Sequence, residues 1–246
     1  MKNKSIHPFE RMIGAIARLL RNGERVATGT LSPVPAAGCF LAKHTHAPDL
    51  ELIVYGDPDS RLSEGFHEIF GLAQQGKIDV FFLSGIQIDQ QGGINLSALG
   101  DYRRPTLRLP GGAGSSMLYA MSGRTILFAN THTPKIFVPR ADFVNATAFD
   151  EAGITPWRRG VLSHVVTPLC VMAFDRDRSR IVLDYVYPGV TVERVVENTG
   201  FDLDIGERDI PTHDPLGEAD LAILRGPVRE KMKQAYPLFA RNVWGA

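Results

Sequence analysis

The run Ile78-Asp-Val-Phe-Phe-Leu83 limits the fold more than any other feature of this chain. Adjacent side chains of a strand point to opposite faces, so Phe81 and Phe82 both need cover. A strand covered on both faces belongs to a sheet flanked by helices. The flanking sequence agrees. Residues 12–20 form an amphipathic helix with Ile13, Ile16, Ala17 and Leu20 on one face and Gly23 as terminator. A strand over 25–30 follows, running into Gly29 and a Ser-Pro-Val-Pro loop. Next come a short helix over 36–43, a strand over 50–55, and a helix over 64–75 with Ser63 as N-cap and Gly76 past its end. Strands alternating with helices predict a mixed, mostly parallel α/β sheet.

The second half changes character. Strand-like runs at 125–130, 161–166, 169–174 and 180–187 are closely spaced, and Asp175-Arg-Asp-Arg-Ser179 reads as the turn of an antiparallel hairpin. Helical pattern returns at 192–198, closed by Gly200, and at 217–236, where Pro227 kinks or splits it. No repeat, linker or low-complexity segment interrupts the chain, so residues 1–246 read as a single domain.

Lys+Arg and Asp+Glu balance at 27 each, which leaves no basic excess for nucleic acid. No apolar stretch approaches the roughly 18 residues of a membrane span. Lys2 and Lys4 precede an apolar stretch, but Glu10, Arg11 and Arg18 interrupt it and no small-residue cleavage site follows. Cys39 and Cys170 each sit in an apolar run without metal-ligand spacing, as reduced packed thiols would in a cytoplasmic protein.

Three segments have residues suited to chemistry. In Pro110-Gly-Gly-Ala-Gly-Ser-Ser116 the glycines permit close approach of a ligand, and exposed N–H groups there can bind an oxyanion or phosphate; a flexible turn accounts for the segment equally well. It is neither a P-loop nor a dinucleotide fingerprint. Directly after the buried strand, Gly85, Gln87 and Asp89 lie where ligands bind in open α/β sheets. Local turn hydrogen bonds of Asp89 and Asn95 are the simpler reading. At the end of the 50–55 strand, Asp57 and Asp59 suit a metal or acid–base pair, but a Gly-Asp-Pro-Asp turn explains them with fewer assumptions. The seven histidines are scattered: His44 and His46 lack a third ligand, His132, His164 and His213 have no sequence partner, and no Gly-x-Ser-x-Gly elbow is present. No metal site is expected.

Several stretches, in order, resemble the β subunit of glutaconate CoA-transferase and its relatives in family I of the CoA-transferases. They are His46-Ala-Pro-Asp49, the block from Ile78 to Asp89, Gly92-Gly-Ile-Asn95, Gly100-Asp-Tyr-Arg-Arg-Pro105, the Gly111-Gly-Ala113 loop, and Tyr187-Pro-Gly-Val-Thr-Val-Glu-Arg-Val-Val-Glu-Asn-Thr-Gly-Phe-Asp-Leu203. The resemblance implies a Rossmann-like fold, an α-type partner subunit of similar fold in an α2β2 heterotetramer, an active site between subunits, and an acyl-CoA thioester as substrate with no bound cofactor. In the transferases a β-subunit glutamate attacks the thioester, whose carbonyl is polarised by N–H donors of the Gly-Gly-Ala loop. On this pattern Gly111, Gly112 and Ala113 form the oxyanion loop, while Gly29, Gly85, Gln87 and Asp89 contact substrate.

This chain departs from the pattern where the chemistry is decided. Aligning Leu52-Ile-Val54 with the family's strand puts Tyr55 at the glutamate's position, and the Gly loop is shorter. A phenol with an ordinary pKa of about 10 cannot serve as the acyl carrier. Within the family, the hydrolase that opens the last steroid ring in bacterial cholesterol breakdown also lacks that β-subunit glutamate. The resemblance therefore implies hydrolysis or carbon–carbon cleavage of an acyl-CoA in a catabolic pathway. The alternatives are transfer through another carboxylate, such as Asp57, or a non-catalytic subunit.

Overall fold

The computed structural model describes residues 5–60, 62, 65–148, 158–206 and 209–245. In chain order the first half holds α1 (Pro8–Arg18), β1 (Arg25–Thr28), α2 (Pro33–His44), β2 (Glu51–Ile53), α3 (Phe66–Gln74) and β3 (Val80–Leu83). Short strands follow, β4 (Gln87–Asp89), β5 (Ile94–Asn95), β6 (Ala98–Leu99) and β7 (Leu107–Arg108), then α4 (Ser115–Met121). The second half holds β8 (Arg124–Phe128), β9 (Phe137–Val138), β10 (Val161–Val166), β11 (Cys170–Asp175) and β12 (Arg180–Val186). It ends with α5 (Val192–Glu197), α6 (Glu218–Ile223), a π-helical turn (Leu224–Val228), α7 (Arg229–Ala235) and α8 (Pro237–Trp244). These elements gather into two compact units, Met1–Gly65 with Asp214–Ala246, and Phe66–His213.

In the first unit β1 and β2 pair in parallel, Arg25 with Glu51 and Ala27 with Ile53. The helix α2 packs against β1, and α1 packs closely against α2. A Cβ at Gly38 would lie 2.4 Å from the Ile16 side chain, so glycine sets how near the two helices can come. The helix α1 starts earlier than its apolar face suggests, because His7 caps it and Glu10 bonds back to the His7 N–H. The Ser-Pro-Val-Pro segment is not a loop. Pro33 opens α2, since proline fits the first helical position where no N–H bond is needed. Residues 34–42 of α2 are buried, Cys39 among them.

In the second unit five strands are neighbours in the order β12-β11-β10-β8-β3. The strands β3, β8 and β10 run parallel; β11 and β12 return antiparallel through the 175–179 turn. Phe81 and Phe82 are 3% and 0% exposed, so both faces of β3 are covered as the sequence requires, each ring contributing about 2 kcal/mol through burial. The expected 50–55 strand is shorter, ending at Ile53. The expected N-cap Ser63 lies outside the described residues. The helical stretch over 217–236 is split near Pro227, as expected, into α6, the π-helical turn and α7, and Gly226 leaves helical backbone angles just before the proline. Among the described residues no helix is long and apolar enough to cross a membrane.

Candidate active site

Tyr55 lies two residues past the carboxyl end of β2, and Gly29 lies one residue past that of β1. Because these strands are parallel, both residues leave the same edge of the pair. Gly56 then turns the chain at φ +90°, and the Asp57 N–H closes back on the Val54 carbonyl at 3.1 Å. A cleft of about 150 Å³ opens here, lined by Ile53, Tyr55, Gly56, Ser60 and Leu62. Burial pushes the half-buried Tyr55 phenol above its usual pKa, so it is protonated at neutral pH and can donate a hydrogen bond.

Asp57, the nearest following carboxylate, is engaged within its own turn. Its side chain is 4% exposed and lies 2.6 Å from the Lys231 ammonium. It also accepts from the Ser60 hydroxyl at 3.1 Å and the Asp59 N–H at 3.2 Å. Lys231 forms a second ion pair with the exposed Asp59. Burial lowers the Lys231 pKa, but its hydrogen bonds to the two aspartates outweigh this and leave it raised.

In the second unit the glycine loop runs into α4 with Gly111 at φ +95° and Ala113 at φ +44°. A left-handed alanine costs about 1 kcal/mol, and a backbone of this kind can turn successive N–H groups to one side. Among the described residues none accepts from the N–H of Gly112 or Ala113, whereas Gly111 donates to Leu96 at 3.0 Å and Ser115 to Gly112 at 2.7 Å. Two adjacent donors are thus available for an oxyanion.

The Gly85–Asn95 stretch supports this loop through a polar chain. The side chains of Gln87 and Asp89 are buried and bonded to their own chain. Gln87 accepts from Asn95 Nδ2 at 2.7 Å and donates to Asp142 at 3.1 Å. Asn95 accepts from the Ser97 N–H at 2.9 Å, and the Ser97 hydroxyl meets Asn145 Nδ2 at 2.8 Å. Asn145 in turn borders Gly112, where a Cβ would lie 3.1 Å from its amide nitrogen. Asp89 accepts from the N–H groups of Gly93 at 2.7 Å and Gln91 at 3.1 Å, as a turn-forming aspartate does. Gly85 allows a close approach of its own chain, since a Cβ would sit 2.7 Å from the Gln87 carbonyl. Asn145, Ser97, Lys231 and Tyr236 escaped sequence reasoning, because each acts through partners far away in the chain. Among the described residues no three His, Cys, Asp or Glu side chains gather into a metal-binding group.

A coenzyme A transferase family model matches residues 57–198, more than half of the chain. The chain belongs to the coenzyme A transferase family. It is 32% identical over 240 residues to the 3-oxoadipate CoA-transferase B subunit of Pseudomonas knackmussii, covering 88% of this chain and 91% of that one. To the glutaconate CoA-transferase B subunit of Acidaminococcus fermentans it is 29% identical, covering 78% and 82%. To the cholesterol ring-cleaving hydrolase IpdB subunit of Rhodococcus jostii it is 25% identical, covering 89% and 87%. The crystal structure of A. fermentans glutaconate coenzyme A-transferase superposes with a TM-score of 0.78, covering 91% of this chain and 94% of that one at 25% identity. This CoA-transferase family member thus has the α/β fold with a mostly parallel sheet that its sequence implied.

Proposed function

We propose that this chain is the B-type subunit of a heteromeric acyl-CoA enzyme that hydrolyses its substrate or cleaves a carbon–carbon bond, and does not exchange coenzyme A. The observation that carries this reading is Tyr55, a protonated phenol at the strand-end turn where the family resemblance calls for a glutamate. A phenol there can hold a substrate oxygen by a hydrogen bond, but it cannot form the acyl anhydride that exchange requires. The N–H groups of Gly112 and Ala113 would receive the thioester oxygen as negative charge develops on it. Gly29, in the first unit, is a proposed substrate contact beside the β2 end, and in the second unit Gly85, Gln87 and Asp89 are proposed substrate contacts, the last two through the polar chain that ends at Asn145 and borders Gly112. An A-type subunit would complete the site in an α2β2 assembly and supply any carboxylate the reaction needs. The relative named as a 3-oxoadipate CoA-transferase favours a second reading, true transfer. In this chain that reading needs a free carboxylate near Tyr55, and Asp57 is held by Lys231 and Ser60.

Chemical trapping decides between the two. The co-expressed complex is incubated with acyl-CoA thioesters, treated with hydroxylamine or borohydride, and mapped by peptide mass spectrometry. No carboxylate of this chain is expected to be modified. Modification of Asp57, or of any other carboxylate here, restores the transferase reading. Light scattering of the complex measures the stoichiometry.

A further inference from the structure

Three contacts join the end of the chain to the turn that follows β2. The Tyr236 hydroxyl donates to the Tyr55 carbonyl at 2.6 Å across 181 residues of sequence. The Lys231 ammonium meets Asp57 at 2.6 Å and also pairs with Asp59. A Cβ at Gly56 would lie 3.1 Å from the Ala235 carbonyl, so α7 presses on the turn where it has no side chain. Asp57 passes this hold through the turn, since it also binds Ser60 and the Asp59 N–H while Ser60 bonds back to the Leu52 carbonyl of β2. The α7 helix is free to take this line because the π-helical turn at Gly226 and Pro227 separates it from α6.

We propose that α7 is the positioning element of Tyr55, with Tyr236 and Lys231 as positioning residues that fix where its phenol stands. Neither residue touches substrate in this scheme. A three-residue strand leaves the turn with little support of its own, and its distant clamp supplies what local structure lacks. The proposal rests on the reading of Tyr55 as a site residue, and the two are separable by experiment.

The test introduces 3-fluorotyrosine at position 55 of the complex and follows its fluorine resonance against pH. In the otherwise unchanged complex a single sharp resonance titrating above free 3-fluorotyrosine is expected. Tyr236→Phe should broaden or split that resonance and bring its titration back toward the free value, while the melting temperature stays nearly constant. Lys231→Met should change the resonance in the same way, at a lower melting temperature because the buried Asp57 carboxylate loses its partner, and Lys231→Arg should restore both. An unchanged resonance in both Tyr236→Phe and Lys231→Met overturns the proposal. Thiol release from acetyl-CoA, read without the fluorine label, addresses the other question. A fall of about tenfold in Tyr236→Phe is expected, in the range of one lost hydrogen bond. If the resonance responds but Tyr55→Phe leaves thiol release untouched, the clamp stands and the role of Tyr55 in thioester hydrolysis falls.

Discussion

Glu10 and Arg225, 215 residues apart, form a two-pronged ion pair in which the guanidinium Nε and Nη2 each lie 2.7 Å from a carboxylate oxygen. Trp244 Nε1 adds a third donor at 3.1 Å, and the His7 N–H adds a fourth at 2.8 Å. The Glu10 side chain is only 2% exposed, so this carboxylate ties α1 to the end of the chain. Arg225→Met would strand a buried charge, and a loss of about 3–5 kcal/mol is expected in urea unfolding. Burial raises the Glu10 pKa, but its hydrogen bonds from Arg225, His7 and Trp244 outweigh this and leave it lowered. A carboxylate with a lowered folded pKa contributes stability that is present above its unfolded value and lost as pH falls through the folded one. The Glu10→Gln variant should therefore lose most of its deficit relative to wild type in acid, below about pH 4.

His132 predicts a loss of stability in the same direction, toward acid, but starting at a higher pH. Its ring is buried between the hydroxyls of Thr167 at 2.9 Å and Thr199 at 3.0 Å, against Phe137. Thr199 donates its own hydrogen to the Val195 carbonyl, so it accepts from Nε2–H and leaves Nδ1 as acceptor in a neutral ring. Burial lowers the pKa to about 4. Folding is then unaffected by this group above pH 6.5 and is penalised as pH falls from 6.5 to about 4, by roughly 3 kcal/mol in the limit. His132→Gln should flatten that part of the stability–pH curve measured by thermal melting, and an unchanged slope would refute the assignment.

Gly112 should be sensitive in turnover and tolerant in stability. A Cβ there would lie 2.5 Å from the Ser115 hydroxyl, which can rotate, and 3.1 Å from Asn145, which must give way. Gly112→Val should cut turnover about 100-fold, the range for damage to an oxyanion hole, and move the melting temperature little. Wild-type kinetics in this variant would reduce the loop to a turn.

Tyr55→Phe removes one donor and should cost about 0.5–1.5 kcal/mol of transition-state stabilisation, a modest fall in kcat/KM. Tyr55→Glu introduces the carboxylate that the proposed reading finds missing at this turn. Isotope exchange between labelled coenzyme A and acyl-CoA is expected to stay near background in the wild type and to rise in this variant.

Local patterning made much of the frame legible. Phe81 and Phe82 announced a strand covered on both sides, Ile13 and Ile16 announced the buried face of α1, and Asp175 announced a turn that it closes by accepting from the N–H groups of Asp177 and Arg178. These features depend on side-chain periodicity and on bonds within a few residues. Pro33 was misread because proline suits both loops and helix starts, and only the packing of residues 34–42 chooses between them.

The sequence by itself determined the α/β class and the family. Tertiary structure decided the detail. It ended β2 at Ile53 so that Tyr55 rides a turn, and it brought Lys231 and Tyr236 to that turn across more than 170 residues. It also set Asn145 beside Gly112 and turned Gln87 and Asp89 inward. Hydrogen bonds and ion pairs act over about 3 Å, while residues distant in sequence come that close only once the core has packed.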